Sequence, residues 1–405
     1  MDKKINLKLL CTSSICSIVT LCSLIVPVVS NAATLTNEIS DITDSKVEYM
    51  VDGVKPLNLN DGNNNMEISD LNGKEFFIKN VYTGQYLDVS GGTAANGTNV
   101  QQYKYNGTDS QRWYMKYNGD ATFSIYSRLG NNGSYKYALD IANASADNYA
   151  NVQIYEINGT NAQKFQIGCT QNSTVVLYTV ISNSSKAVVV NGPTCDQGRN
   201  VDQYTYQGHV NEQWILEPVN RDYTMGVYYA RKNYDSYISA YPNVTKLGPN
   251  GGNCSNFVSQ CMLASGIHYQ NDWYVYRQNG TYTDVTTTDE LDYSWELADP
   301  SPWISAKSFA KYWKPNASYH DYKGKEILNN PTLIANSNMS MGDVVQLADA
   351  NLLGNLGTAT HTMYVTEVQN GDCVLTYQSI NVRAGSLLDL CKRYPNNYFI
   401  LYDIM

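Results

Sequence analysis

The chain has 405 residues, 28 Lys+Arg against 37 Asp+Glu for a formal net charge of −9, with 16% charged and 43% hydrophobic residues. Such a balance excludes a disordered chain, which lacks the apolar residues to build a core, and argues against a nucleic-acid partner, which calls for a basic footprint. The 34 tyrosines against 7 Phe and 6 Trp point to a strand-rich, polar-surfaced protein of the extracellular kind.

Residues 1–32 read as a signal peptide. Lys3, Lys4 and Lys8 form a positive start, the run from Leu9 to Val29 is apolar, and Ser30-Asn31-Ala32 ends it with small residues. A secreted (extracellular) chain that has lost Asp2 and the three lysines carries −11. No later stretch approaches the roughly 20 apolar residues of a spanning helix, so no stable membrane insertion is expected. Residues 33–72 are an Asn-rich leader or linker. Asp61-Gly-Asn-Asn-Asn65 imitates a calcium loop, but Met66 stands where glycine is needed and Asn72 where glutamate is needed.

An internal repeat of about 50 residues fills 73–219. Tyr86-Leu-Asp88-Val89 aligns with Ala138-Leu-Asp140-Ile141 and with Val188-Val-Val190, at intervals of 52 (88 to 140) and 49 (140 to 189). A tyrosine follows each Asp position by fifteen residues: Tyr103, Tyr155 and Tyr204. The copies close on Gln111-Arg-Trp113, on Gln163-Lys-Phe165 and, after a one-residue contraction, on Gln213-Trp214. Units this short cannot each bury a core, so the three must pack around a shared one.

These residues resemble a ricin-B-type β-trefoil lectin. The resemblance implies carbohydrate binding at Asp88, Tyr103, Asn106 and Gln111, and at Asp140, Tyr155, Asn158 and Gln163. The chemistry agrees: a sugar packs its C–H face on an aromatic ring and offers hydroxyls to carboxylates and amides. Val189 replaces the acid of the third copy, whose pocket is expected to be lost. The family places an Asn before the closing Gln; Ser110, Ala162 and Glu212 stand there instead, and Asn106 and Asn158, in matching Asn-Gly-Thr turns, are the substitutes. Gln111, Gln163, Trp113 and Phe165 also fit a purely structural role in the trefoil core.

Past Pro218 the period changes. Tyr228 to Tyr234 has helical spacing, Gly248-Pro-Asn-Gly-Gly252 is a loop, and Asn253 to Met262 is a second helix, ended by Gly266, with Phe257, Val258, Cys261 and Met262 as its apolar stripe. Cys254 opens that helix, where the positive end of the helix dipole favours a thiolate. Strands are expected over 341–347, 360–366 and 373–378; the second carries His361 as base, and the third brings Gln378 and Asn381 as rival orienters of the imidazole. Six cysteines beyond the signal and four histidines, without a His-Glu-x-x-His or paired Cys-x-x-Cys motif, imply no metal and no cofactor.

Residues 222–405 resemble the secreted bacterial Putative amidase domain family, relatives of the papain-like NlpC and CHAP hydrolases. The Tyr-Ala-Arg helix, Cys254-Ser-Asn-Phe-Val-Ser-Gln260, Gly342-Asp-Val-Val345 and His361-Thr-Met-Tyr-Val-Thr366 carry the likeness. Asn253 departs from the family's Asp, and Gln378-Ser-Ile-Asn381 from its His-Ser/Thr-x-Asp. The expected architecture is multidomain: a β-trefoil lectin followed by an α+β papain-like (NlpC/CHAP-like) cysteine hydrolase. The expected function is a secreted, carbohydrate-binding cysteine amidohydrolase that acts on a peptide or amide substrate, with a cell-wall or cell-surface glycan as partner and no nucleic acid. Peptidoglycan, which joins sugars to peptides by amide bonds, suits the pairing; the alternatives are a toxin or effector that grips host glycans and a lectin whose hydrolase half is inert.

Overall fold

A computed structural model describes residues 66–192, 194–247 and 252–404, with the backbone of 55–56. The segment read as a signal peptide (1–32), most of the expected leader including 61–65, and residues 248–251 lie outside the described residues.

Twelve strands follow the short helix α1 (Ile68–Leu71) and the two-residue strand β1 (Lys55–Pro56): β2 (Glu75–Asn80), β3 (Tyr86–Val89), β4 (Thr98–Tyr103), β5 (Arg112–Tyr117), β6 (Phe123–Ser127), β7 (Tyr137–Ile141), β8 (Ala150–Glu156), β9 (Phe165–Cys169), β10 (Val175–Thr179), β11 (Lys186–Val190), β12 (Val201–Thr205) and β13 (Trp214–Pro218). The first and last strand of each repeat join a closed antiparallel barrel, β2–β5–β6–β9–β10–β13 and back to β2, and the middle pairs form hairpins that cap it. Closure leaves that barrel without an edge strand. This is a β-trefoil. Inward residues such as Leu87, Val100, Trp113, Leu139, Phe165, Val188 and Trp214 fill the common core, and the repeats reproduce one another in detail. Trp113 Nε1 donates to Leu87 O and Trp214 Nε1 to Val188 O, both at 3.0 Å. Near the threefold axis Asn151 Nδ2 donates to Asn99 Oδ1 (2.9 Å) and Asn200 Nδ2 to Asn151 Oδ1 (3.0 Å).

One detail of the repeat is corrected. Asn106 N donates to Gln111 Oε1 and Asn158 N to Gln163 Oε1, and the equivalent bond in the third copy runs from Gln207 N to Glu212. Glu212 is therefore the closing residue, two before Trp214, and no residue is lost; Asn211 takes the place before it.

The second domain mixes helix and sheet. Its helices are α2 (Tyr223–Asn233), α3 (Cys254–Ala264), α4 (Thr288–Ser294), α5 (Ala306–Trp313), α6 (Gly324–Asn329), α7 (Thr332–Asn336) and α8 (Leu387–Arg393). A small ladder pairs β14 (Tyr276–Arg277) with β15 (Trp295–Glu296), and the main antiparallel sheet contains β16 (Ser318–Lys323), β17 (Val344–Ala350), β18 (Leu356–Gln369), β19 (Asp372–Tyr377), β20 (Val382–Ser386) and β21 (Tyr398–Asp403) in the order β16-β21-β17-β18-β19-β20. Alternation divides the sheet's side chains between two cores. Val344, Ala348, Tyr364 and Tyr402 pack with α2, α3 and α5, whereas Val345, Met363, Leu375 and Leu401 pack with α6, α7 and α8.

Helix α3 is buried along all of its length, polar side chains included. Each finds a partner: Ser255 Oγ lies 2.7 Å from Thr362 Oγ1, Tyr229 OH donates to Gln260 Oε1 (2.7 Å), Ser259 Oγ donates to Trp303 O (3.1 Å), and Trp303 Nε1 donates to Asn256 Oδ1 (2.8 Å). Buried polar groups so satisfied carry little penalty.

A buried ionic cluster joins the two domains. Lys79 of β2 stands 3.8 Å from Glu217 of β13, donates to Tyr269 OH at 2.7 Å and lies 4.1 Å above the Tyr241 ring. Tyr86 OH and Tyr241 OH donate to Glu217 at 2.8 and 3.3 Å. His268 packs edge-on to Phe77 at 4.9 Å in the same junction.

Candidate functional site

In the first repeat, pairing of β3 with β4 sets Asp88 opposite Gln101 and Tyr86 opposite Tyr103, so the carboxylate and the exposed Tyr103 ring open on one face. Gln101 Nε2 donates to Asp88 at 3.0 Å. The second repeat repeats this: Gln153 Nε2 donates to Asp140 (2.9 Å), Gln163 Nε2 adds a bond at 3.2 Å, and Tyr155 is exposed nearby. Burial pushes both carboxyls above their ordinary range, against the pull of the amides that bind them.

Gln111 and Gln163 are scaffold. Gln111 bridges Asn106 N and Lys104 O, and Gln163 bridges Asn158 N and Glu156 O. The side-chain oxygens of Asn106 and Asn158 are occupied too, by Thr108 and Thr160 of their own turns. Asn106 directs its amide nitrogen toward Asp88.

In the second domain Cys254 begins α3, where first-turn amides have no intrahelical partners. Its thiol lies 4.0 Å from Ser255 Oγ and beside the backbone of Thr362 in β18; burial pushes it above its ordinary range, while the Thr362 and Ser255 hydrogen bonds pull it down. His361 is the preceding residue of that strand. It shares a face with Met363, opposite Leu347, and its ring packs edge-on to Tyr377 at 5.0 Å. Its Nε2 is buried without a partner, and burial lowers its pKa to about 4. The strand thus brings base and nucleophile to neighbouring backbone positions, but no hydrogen bond joins them.

The two rival orienters are separated. Gln378 Oε1 accepts from Asn253 Nδ2 (2.5 Å), and its Nε2 donates to Asn233 O (2.6 Å) and Ser236 O (2.8 Å). All of its capacity serves the segment that precedes Cys254, and none of its bonds reaches His361. Asn381 is exposed in a turn with φ +51, and no hydrogen bond joins it to the imidazole.

Sequence reasoning missed the lattice that holds the nucleophile. Asn253 Oδ1 accepts from Val244 N (3.2 Å) and Asn256 Nδ2 (2.8 Å), and its own N donates to Ser379 Oγ (3.0 Å). A second chain runs from Ser255 to Thr362, on to Gln346 Nε2 (2.9 Å), and then from Gln346 Oε1 to Tyr402 OH (2.8 Å). The only signal for it in the sequence was a cluster of Asn and Ser within a segment otherwise patterned as core. Among the described residues, no group of three or more His, Cys, Asp and Glu side chains is arranged for a metal.

Comparison with known families decides the domain types. Residues 220–402 match the family model of the Putative amidase domain, and residues 65–155 match that of the Ricin-type beta-trefoil lectin domain-like family. Residues 65–155 are thus similar to the ricin-type lectin family and residues 220–402 to the Putative amidase domain family. The lectin match stops within the second repeat. No curated protein matches the chain. Among solved structures, it is similar to ThreeFoil, a designed 3-fold symmetric protein (32% identity over 35% of this chain and 96% of that one, TM-score 0.33), and to the exo-beta-1,3-galactanase 1,3Gal43A of Clostridium thermocellum (23%, 35% and 30%, 0.33). The Rhizoctonia solani agglutinin is similar at 23% identity, over 36% of this chain and 95% of that one, TM-score 0.31.

Proposed function

We propose that the protein is a secreted, glycan-binding cysteine amidohydrolase, with a peptide–sugar polymer such as peptidoglycan as substrate. The observation that carries this reading is a cysteine in the opening turn of α3, against the strand that holds His361, in a chain with two copies of an Asp–Tyr pair on one face of the trefoil.

In the resting site both groups are neutral, because burial disfavours thiolate and imidazolium alike. His361 shares the Met363 face of β18, whereas Thr362 faces Cys254, so reaction begins only when the imidazole leaves Tyr377 and turns past the strand to the α3 side, where it accepts the Cys254 proton. The thiolate attacks the amide carbonyl, and first-turn amides of α3, Cys254 N–H among them, hold the oxyanion. The imidazolium returns the proton to the departing amine, and water then cleaves the thioester with His361 as base. Gln378 and Asn253 hold the cysteine for this attack. A papain-like origin is consistent with a nucleophile on a helix and a base on the adjoining sheet.

The test is incubation of the mature protein with purified peptidoglycan and, separately, with glycoproteins, followed by mass spectrometry of the released fragments. Release of new amine and carboxyl termini by wild type but not by Cys254→Ala supports the reading; glycoprotein cleavage alone favours an effector. The lack of a hydrogen bond between Cys254 and His361 favours one other reading, a lectin with an inert second domain. No release from either substrate would select it.

A further inference from the structure

The third repeat lacks the acid at Val189, yet its pairing puts a carboxylate directly across from that position. Val189 faces Asp202 of β12, just as Asp88 faces Gln101 and Asp140 faces Gln153. The acid has changed strands. Asp202 is buried, and Asn191 Nδ2 donates to its Oδ2 at 2.5 Å; its Oδ1 has no hydrogen-bond partner among the described residues. Burial raises its pKa to about 6, against the pull of the Asn191 hydrogen bond and the Arg199 charge.

Around it the surface is aromatic. Val176, Ala187 and Val189 form a small outer cluster bordered by Tyr178, Tyr204 and Tyr206. A further ring comes from the second repeat. Tyr149 is 66% exposed, and its ring centre stands 5.0 Å from that of Tyr204, with the two rings tilted by 54°.

The backbone of Tyr149 makes this arrangement informative. Its φ is +66, and the same repeat position is filled by glycine elsewhere, Gly97 at +79 and Gly198 at +78. All three make the same bond: Gly97 N to Ile154 O, Tyr149 N to Gln203 O and Gly198 N to Gln102 O. A left-handed conformation penalises a side chain with a Cβ, and glycine is the relaxed choice. A tyrosine kept there, in solvent, points to function rather than folding.

We propose that the third repeat binds a sugar ring on a site rebuilt from Asp202, Asn191 and Tyr204, with Tyr149 supplied by the second repeat. Asp202 Oδ1 accepts a sugar hydroxyl, and the two phenol rings take the C–H face. The site uses neither the acid position of the other two repeats nor residues of a single repeat. It rests on the lectin reading given above.

The test combines a printed array of oligosaccharides with soluble peptidoglycan fragments, applied to the full chain. Wild-type binding with none by any variant of Asp202 or Tyr149 is not required; the decisive background is Asp88→Ala/Asp140→Ala. That double variant should keep measurable binding, and adding Asp202→Asn or Tyr149→Gly should lower it at least tenfold. Tyr149→Gly should leave the melting temperature equal or higher, which separates loss of a contact from loss of fold. No residual binding in the double variant, or residual binding indifferent to both added changes, overturns the third site while the lectin reading stands. Absence of binding by wild type to both probes overturns both.

Discussion

Cys254 and His361 both rest in their uncharged forms, and this decides how each responds to change. Cys254→Ala removes one sulfur from a position whose neighbours are a hydroxyl and a backbone. Hydrolysis should be abolished with glycan binding and melting temperature nearly unchanged; residual turnover above a tenth of wild type would remove Cys254 from the mechanism. For His361, the folded pKa of about 4 lies below the ordinary 6.5. Between those values the unfolded chain binds a proton that the folded chain refuses, so stability is lost as pH falls through that window, by up to about 2–3 kcal/mol. Asp202, raised to about 6, works in the opposite direction. The informative quantity is therefore the difference in denaturant unfolding between wild type and His361→Gln, which should shrink from pH 6.5 to 4. A pH-independent difference would mean the imidazole is not held neutral. Gln378→Ala should slow turnover about ten- to a hundredfold, as a small displacement of a nucleophile does. Slower alkylation of Cys254 by iodoacetamide should accompany it, and Asn381→Ala should affect neither measurement.

At the scale of elements, close approach of α2 to α3 and β18 depends on Gly226. A Cβ there would stand 1.9 Å from Ser265 Oγ, 2.3 Å from Tyr364 OH and 2.8 Å from Cys261 O. Gly226→Ala should lower stability by roughly 1–3 kcal/mol, the usual range for overpacking, in equilibrium unfolding; a neutral result would mean that α2 shifts freely. The same elements show what a sequence can disclose. The repeat was legible because three copies in register reinforce one another, and the helix of Cys254 because its start and its stop at Gly266 are local signals. The Glu212 closure was misread because an adjacent Gln213 imitated the motif, and only the backbone bond from Gln207 separates the two. The acid at Asp202 was invisible for a different reason: it belongs to a cross-strand pair, and its partner Val189 lies thirteen residues away in sequence. Burial of Ser255, Asn256, Ser259 and Gln260 was likewise hidden, since their partners come from other elements. The role of Gln378 depends on Asn253, 125 residues earlier.

At the scale of the molecule, the buried Lys79–Glu217 pair of the trefoil meets the second domain through Tyr241 and Tyr269, so charges that water cannot reach anchor the junction. Burial lowers Lys79 to about 8 and raises Glu217, while each partner's charge opposes the other's shift. Lys79→Met leaves a buried carboxylate without its cation, so stability should fall by about 3–5 kcal/mol in denaturant unfolding. Lys79→Met/Glu217→Gln should recover much of that loss; an equal loss in both variants would show that the tyrosines rather than the ion pair bind the junction. The same cage sets a geometric limit. An enzyme whose binding module swings on a tether cuts wherever the tether reaches, and its products vary in size. In the proposed enzyme the jaw that grips and the blade that cuts are clamped to one frame, like a caliper locked at a single opening, so fragments released from a regular polymer should fall into a narrow size class.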